Sequence, residues 1–179
     1  MARLGLPFTV VDIDVEERLP EAVEVSQVAV SLARLKAEGY NGILTPETVL
    51  VTADTVVVHR GKVLGKPQTA QQAAAMLQSL SGDSHQVYTG VCLRTDSRSI
   101  HFMECTQVYF RDLSKWEIDY YVDRYRPYDK AGAYGIQEWV GMVGVERIDG
   151  CYYNVMGLPV VRLYKELQGL VDLHSALVD

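Results

Sequence analysis

The chain has 179 residues, of which 48% are hydrophobic and 22% charged, and its formal net charge is −6. This length suits one domain of ordinary size, and the near-average composition excludes a disordered, collagen-like or coiled-coil protein. The acidic balance disfavours a nucleic-acid binder, because no general basic field exists to hold a phosphate backbone. The longest apolar run, residues 73–77, is far shorter than the roughly 20 residues of a membrane helix, and no signal-peptide pattern is present. We therefore expect a single cytoplasmic domain.

The first third of the chain predicts a strand, a helix and a hairpin. Residues 8–14 alternate and are rich in β-branched side chains, which is typical of a strand. Apolar residues at three- and four-residue spacing from Val25 to Leu35 predict a helix that ends near Gly39. Residues 48–58 then form a nearly continuous apolar strand, and a turn leads to a short partner strand at residues 63–64.

The middle of the chain predicts a helix followed by two strands. Thr69 is a suitable N-cap, an apolar stripe follows it, and Gly82 lies just past the expected end of the helix. Residues 86–94 and 99–110 predict strands that are joined by a tight turn.

The last third begins with Ser114-Lys115-Trp116-Glu117, a capping box that opens a helix. A glycine-containing polar loop follows at residues 128–137, and residues 139–148 and 152–155 predict a hairpin. The last helix is expected to start at Pro159. Mixed strands and helices in this order indicate an α/β or α+β protein with a substantial sheet.

The three cysteines, Cys92, Cys105 and Cys151, are an odd number without C-x-x-C spacing. This pattern fits neither a disulfide framework nor a zinc site. We expect reduced, structural thiols.

Asp54 is the polar residue that most needs an explanation. It lies inside an apolar strand, where an ionised carboxylate is costly unless a cation or metal compensates it. Two interpretations remain open at this point, a structural ion pair within the fold and a catalytic carboxylate.

Other polar residues carry weaker signals. Lys66, in Gly65-Lys66-Pro67, could meet a phosphate or be an ordinary loop lysine, since no complete phosphate-loop motif surrounds it. Lys36 flanks the apolar stripe of its helix and could lie at the core edge or point into a cleft. Glu16 and Glu17 could form a solvated turn or contribute a carboxylate to a divalent cation.

The segment from Asp129 to Gln137 combines a charge pair, small residues and an amide. Small residues let backbone approach a ligand, and an amide can make two hydrogen bonds to one, so the segment is typical of a ligand-binding loop. The alternative is a structural loop pinned by a network around Asp129 and Lys130.

Five ordered motifs carry a resemblance that no single one of them would support. They are Ala53-Asp54-Thr55-Val56-Val57, Gly65-Lys66-Pro67, Leu80-Ser81-Gly82-Asp83-Ser84-His85-Gln86-Val87-Tyr88-Thr89-Gly90-Val91, Asp129-Lys130-Ala131-Gly132-Ala133-Tyr134-Gly135-Ile136-Gln137 and Asn154-Val155-Met156-Gly157-Leu158-Pro159. In this order and spacing they resemble the Maf family, over about residues 4–167. The resemblance implies an α/β fold of the Maf and inosine-triphosphatase type. Its features are a central mixed β-sheet flanked by helices and a nucleotide cleft, in a single domain over residues 1–179.

The Maf family consists of nucleoside triphosphate pyrophosphatases, house-cleaning enzymes that release pyrophosphate and leave a monophosphate. By the resemblance, Asp54 is the expected proton acceptor, and Thr55 and Gln137 are expected to set the nucleobase preference. The A-D-T and G-I-Q forms are those of the branch that acts on dTTP and UTP. Relatives are often homodimers, so we expect a homodimer as well.

The resemblance also assigns the remaining cleft positions. Lys66 is expected to act beside Asp54, and Lys36 and Glu17 to line the substrate site, with Glu16 as the neighbour that could replace Glu17. A divalent cation, Mg²⁺ or Mn²⁺, is expected on Asp54 and Glu17. Asp54 would then either deprotonate the attacking water or hold the metal that activates it.

One departure from the family pattern concerns the start of the chain. Family members usually begin with a strand and an S-x-S-P-R-R turn that would bind phosphate, and this sequence starts after that turn. The sequence therefore leaves two alternatives, a shortened version of an active enzyme and a nucleotide-binding or regulatory protein with weak or no turnover. A pyrophosphatase of the inosine triphosphate type is a third, less favoured interpretation.

Overall fold

The computed structural model describes residues 4–16 and 23–174. The strands are β1 (Leu50–His59), β2 (Lys62–Leu64), β3 (Ser84–Arg94), β4 (Ser99–Phe110) and β5 (Val145–Asp149). The α-helices are α1 (Val28–Gly39), α2 (Ala70–Leu80), α3 (Lys115–Tyr125), α4 (Trp139–Gly144), α5 (Tyr152–Val155) and α6 (Val160–Gln168). Single 3₁₀ turns cover Val25–Gln27 and Ala131–Ala133.

The five strands form one sheet in the order β2-β1-β3-β4-β5. The α/β class, with a central sheet flanked by helices, is confirmed. Where a mixed sheet was expected, every pair among the described strands is antiparallel. β3 pairs with β1 from Leu50 to Val58, whereas β2 pairs only with Val57 to His59. Among the described strands, the outer edge of β1 from Leu50 to Val56 therefore has no partner.

Helix α1 packs very closely on one face of the sheet. A Cβ atom built on Gly90 of β3 would lie 2.2 Å from the backbone of Val30 in α1. Ala29 and Ala33 of the helix are fully buried beside it. Small residues on both sides thus bring the helix backbone against β3, and this fixes where the last turn of α1 ends.

The opposite face of the sheet carries two apolar clusters. Side chains alternate along a strand, so Val87, Thr89 and Val91 of β3 share this face. Val87 belongs to a cluster with α2, α3 and the loop of residues 131–136, and Val91 to a second cluster with α6. Thr89 lies between the two clusters and is completely buried.

Most predicted elements are confirmed, and the local signals explain why. The Thr69 side chain accepts a hydrogen bond from the backbone N–H of Gln72, and α2 starts at Ala70, directly after Thr69. The capping box of Ser114 and Glu117 is present in both directions at the start of α3. Pro159 is the N-cap residue of α6, and all three cysteines are free thiols.

Residues 8–14 were predicted as a strand, and this prediction is wrong. The segment has no ladder partner among the described strands and no regular secondary structure, and Phe8 and Val10 are 51% and 79% exposed. Alternation of apolar and polar side chains indicates an extended segment with one buried face. A β-strand also needs the edge of a neighbouring strand for its backbone hydrogen bonds, and residues 8–14 have none among the described strands.

The hairpin predicted over residues 139–148 and 152–155 is also wrong. The chain forms α4, then β5, then α5, and β5 pairs with β4. Val140 is fully buried and Met142 is 70% exposed, which a strand could not achieve because it would put both on one face. The short apolar run at residues 139–143 fits the two-residue period of a strand as well as the 3.6-residue period of a helix. The burial of residues at helical spacing shows that it is a helix.

None of the helices in the described ranges combines the length and the apolar character that a membrane crossing requires.

Candidate active site

The predicted polar residues meet at one cavity of about 270 Å³, which we call the polar cavity. Asp54 and Thr55 of β1 line it, together with Lys66, which follows β2, and Gln137. Two further segments complete the wall, residues 129–135 and residues 155–157. Four of the candidate site residues are thus brought together, although they come from three separate parts of the sequence.

The polar cavity lies across an open sheet edge. Asp54 pairs with Gly90 and Thr55 with Thr89, so consecutive side chains of β1 point to opposite faces of the sheet. Pairing with β2 begins only at Val57. Because the edge is not covered at residues 54 and 55, one cavity reaches both side chains.

Asp54 forms an ion pair with Lys36 of α1. The Lys36 ammonium donates directly to Asp54 Oδ1, and the two side chains are 25% and 18% exposed. Lys36 lies in the last turn of α1, on the face of the sheet to which Gly90 lets that helix approach. The apolar strand therefore tolerates Asp54 because the Lys36 ammonium compensates its charge. This is the structural ion pair that was one of the two predictions for Asp54. The same carboxylate also lines the polar cavity.

The loop of residues 129–137 is held against β1 and β2 by its backbone. Gly132 has φ +70°, and its N–H donates to Gly65 O at 3.2 Å. A Cβ atom at Gly132 would lie 3.0 Å from a methyl of Val57. Only glycine suits both this conformation and this close approach, so the loop is fixed next to Lys66.

A charged network pins the same loop from the other side. Lys130 Nζ lies 2.9 Å from Asp129 Oδ1 and 3.2 Å from Glu138 Oε1. Burial alone would lower the pKa of Lys130, but its hydrogen bonds to Asp129 and Glu138 outweigh burial and raise that pKa. The Tyr121 hydroxyl donates to Glu138 Oε2 and accepts the Gly135 N–H at 3.2 Å. The pinned-loop interpretation is therefore correct, and the pinned loop also lines the polar cavity.

A second network lies behind Thr55. Thr55 Oγ1 is 2.8 Å from Thr89 Oγ1, and Thr89 Oγ1 donates to the backbone oxygen of Asn154 at 2.9 Å. The Asn154 side-chain amide donates to Val87 O and to Thr106 Oγ1, each at 3.0 Å. No role was predicted for Thr89 or Asn154, although both fall in quoted motifs. The one available signal was an asparagine among aromatic and apolar neighbours, at residues 151–156.

The remaining candidates lie elsewhere. Glu17 falls outside the described residues, and Glu16 is exposed and does not line the polar cavity. Lys36 lines a larger groove of about 870 Å³, between residues 6–13 and the open edge of β1. Ala53 lines both the groove and the polar cavity, so the two spaces adjoin at the Asp54–Lys36 pair.

Within the described ranges, no group of three or more His, Cys, Asp or Glu side chains is arranged to hold a metal ion. The polar cavity does contain two carboxylates, Asp54 and Asp129. Mg²⁺ is commonly bound by one or two carboxylates plus phosphate oxygens of a substrate, with water completing its shell. The donors present fit such a substrate-dependent ion and do not form a complete protein cage.

The chain is similar over most of its length to proteins of one family. A model of the family described as "Maf-like protein" matches residues 1–170. A dTTP/UTP pyrophosphatase of Bacteroides fragilis is 51% identical over 171 residues, which cover 95% of this chain and 89% of that protein. The dTTP/UTP pyrophosphatases of Bacteroides thetaiotaomicron and Porphyromonas gingivalis are 48% and 51% identical, over 95% and 87% of this chain and 89% and 79% of theirs. With a family match over nearly all of its length and relatives at this identity, the chain belongs to the Maf family.

Proposed function

We propose that the chain is a nucleoside triphosphate pyrophosphatase that hydrolyses dTTP and UTP to the monophosphate and pyrophosphate. The observation that carries the proposal is the polar cavity, which joins two carboxylates, two lysines and the neutral polar side chains of Thr55 and Gln137 at one open strand edge. Relatives named dTTP/UTP pyrophosphatase, at about half identity over most of the chain, support the substrate class.

The cations of the site suit a triphosphate bound to an acidic protein. Lys66 and Lys130 line the polar cavity, and Lys36 reaches Asp54 at its border. A protein with a net charge of −6 needs such local positive charge to hold a polyphosphate. We assign Lys66 and Lys36 to the phosphates, where they would stabilise the negative charge that develops on the leaving pyrophosphate.

We assign to Asp54 the role of accepting the proton of the attacking water. In the proposed step the water oxygen bonds to the α-phosphorus, Asp54 accepts a proton, and the bond from the α-phosphorus to the bridging oxygen breaks. Pyrophosphate leaves with that oxygen. The ammonium of Lys36 donates to the Asp54 carboxylate and so orients it.

We propose a divalent cation, Mg²⁺ or Mn²⁺, as the cofactor. Asp54 would hold it with phosphate oxygens of the substrate, and Glu17 is the further ligand that the family resemblance suggests. Bound there, the ion would neutralise phosphate charge and acidify water.

We propose that the chain acts in the cytoplasm as a homodimer and does not bind nucleic acid. An exposed aromatic group on α3 supports a dimer: Trp116 and Tyr120 stack at 5.6 Å, and Trp116 is 67% exposed. Exposed apolar patches of this kind commonly mark protein contacts. Light scattering tests the dimer, and Trp116→Ser should shift the mass toward the monomer if this group is buried in it.

The direct test of the function is pyrophosphate release. The purified chain is incubated with Mg²⁺ and each of dTTP, UTP, CTP, GTP and ATP, and we expect release from dTTP and UTP. Asp54→Asn should remain folded and lose turnover. Asp96→Asn, in the exposed turn between β3 and β4, is the matched control and should keep full activity.

Three results would contradict the proposal. Release from Asp54→Asn at the wild-type rate would remove the base assignment. Nucleotide binding without any release would favour the alternative of a nucleotide-binding or regulatory protein. Release mainly from purine nucleotides would contradict the substrate assignment.

A further inference from the structure

The buried network behind Thr55 has a defined hydrogen-bond direction, and that direction bears on which nucleobase the site accepts. Thr89 and Asn154 are both completely buried, and Thr89 lies between the two apolar clusters on its face of the sheet. Thr55 is half-buried and lines the polar cavity. A row of three polar residues, two of them completely buried, thus ends at the wall of the candidate active site.

The position of Asn154 is fixed independently of Thr55. Its side-chain nitrogen donates to the backbone oxygen of Val87, which can only accept, so the amide cannot be reversed. The same nitrogen donates to Thr106 Oγ1, which also accepts the backbone N–H of Cys151 at 3.0 Å. These bonds anchor the backbone carbonyl of Asn154, which lies next to Thr89.

The hydroxyl of Thr89 has one hydrogen, and the carbonyl of Asn154 uses it. The two oxygens are 2.9 Å apart, and a carbonyl oxygen can only accept. If Thr89 turned its hydrogen toward Thr55 instead, two oxygens would face each other at hydrogen-bond distance with no hydrogen between them. Thr89 therefore donates to Asn154 and accepts from Thr55, across the 2.8 Å contact of their hydroxyls.

The single hydrogen of Thr55 is consequently directed into the protein. Toward the polar cavity the Thr55 oxygen has only lone pairs to offer, so it can accept a hydrogen bond but not donate one. We infer that Thr89 and Asn154 are positioning residues that make Thr55 an obligate acceptor, which selects a nucleobase presenting a ring N–H group to it. This inference rests on the proposed function and adds the chemical rule by which that site reads its substrate.

The rule separates pyrimidines that differ little in shape. Uracil and thymine carry an imide N3–H donor, whereas N3 of cytosine is an acceptor. Cytosine at this position would place two lone pairs against each other and leave the Thr55 oxygen without a partner, which costs about tenfold or more in affinity. Guanine also has a ring N–H donor, so the rule does not by itself exclude GTP, and the comparison of uracil with cytosine is the informative one.

The test is a binding measurement that does not depend on turnover. We would measure dissociation constants by calorimetry for the α,β-methylene analogues of UTP, of N3-methyl-UTP and of CTP, with Mg²⁺ present. Cleavage of the bond between the α- and β-phosphates is blocked in all three. The wild-type chain should bind the UTP analogue about tenfold or more tightly than either of the others, because only uracil with a free N3–H satisfies Thr55.

Substitution of Thr89 tests the positioning role. In Thr89→Val the Thr55 hydroxyl is free to turn its hydrogen toward the cavity, so the preference for UTP over CTP should shrink to about threefold or less. Thr89→Ser keeps the hydroxyl and should keep the wild-type ratio. The matched control is Thr52→Val, which removes a buried hydroxyl of the neighbouring strand β1 that donates to Ala33 O at 2.7 Å and lies outside the polar cavity.

The outcomes separate the two proposals. Equal binding of all three analogues to the wild-type chain would overturn the inference and leave the proposed function standing, as would a folded Thr89→Val variant with an unchanged ratio. Binding of none of them would overturn the proposed function, and the inference with it. If Thr89→Val does not fold, the comparison of the three analogues on the wild-type chain still decides.

Discussion

The core histidine His85 makes the stability of the fold depend on pH in a way that can be calculated. Its ring is 1% exposed, Nε2 lies 2.6 Å from the Tyr134 hydroxyl, and Nδ1 has no hydrogen-bond partner among the described residues. The pKa of His85 is lowered from its usual 6.5 to about 4, chiefly because burial disfavours the charged ring. The nearby His59 also lowers this pKa, and the Asp83 carboxylate raises it by a smaller amount.

The sign of the effect follows from which state binds the proton. Below its usual pKa of 6.5, His85 in the unfolded chain takes up a proton that the folded chain refuses until the pH reaches about 4. Stability is therefore greatest above pH 6.5 and falls as the pH decreases through this window. Integrated from about pH 7 to about pH 4.5, this group alone removes about 2 kcal/mol from the free energy of unfolding.

The assay is urea unfolding followed by tryptophan fluorescence at a series of pH values, on the wild-type chain and on His85→Gln. Glutamine can still bond to Tyr134 but does not titrate, so the variant lacks this component. The wild type should lose about 2 kcal/mol more than the variant between the two pH limits. Equal losses would show that His85 is protonated in the folded state, and the reasoning from its burial would be refuted.

Three further substitutions test how the fold supports the site. Gly90→Ala should destabilise the chain by at least about 2 kcal/mol and lower kcat, because the new methyl would meet the Val30 backbone at 2.2 Å; unchanged thermal unfolding would contradict this packing. Ser114→Ala should cost about 1 kcal/mol through the lost cap and leave kcat unchanged; an altered kcat would link α3 to catalysis. Tyr121→Phe frees the Gly135 N–H and should raise KM severalfold, and a KM equal to wild type would show that the hydroxyl does not order the loop.

Sequence reasoning succeeded where a local signal fixes a local structure. Thr69 and the capping box at Ser114 each supply a hydrogen bond to a helix N-terminus, so the start of each helix is encoded within a few residues. Gly82 has φ +66° just past α2, a conformation that glycine adopts without strain. The order of such elements was enough to predict the α/β class.

Where the outcome depends on a distant partner, the pattern alone was insufficient. The segment of residues 8–14 has the alternation of a strand, yet pairing is decided by whether an edge is available to it. Residues 139–143 fit two periods, and the burial of Val140 against the core selects the helix. Neither decision can be read from neighbouring residues, because both depend on surfaces built by other parts of the chain.

Residues of the candidate site could be predicted where a side chain was chemically unlike its neighbours in the sequence. Asp54 stands out because an apolar strand does not tolerate an unpaired carboxylate. Thr89 gave no such signal, since threonine is an ordinary strand residue, and its part in the site follows only from the register that places it opposite Thr55. Glu138 likewise gained its role from Tyr121 and Lys130, which lie elsewhere in the sequence.

The open edge of β1 lets Asp54 and Thr55 face one cavity, as the proposed binding of both ends of one substrate requires. Along a covered strand, Asp54 and Thr55 would face separate environments on either side of the sheet. Here pairing with β2 begins two residues after Thr55, and the polar cavity reaches both faces around the edge. A nucleotide lying across that edge would present its base to the acceptor of Thr55 on one face and its phosphates to Asp54 and Lys36 on the other. Extending β2 to cover Thr55 should therefore abolish nucleotide binding without changing any residue that lines the polar cavity, if the proposed site is correct.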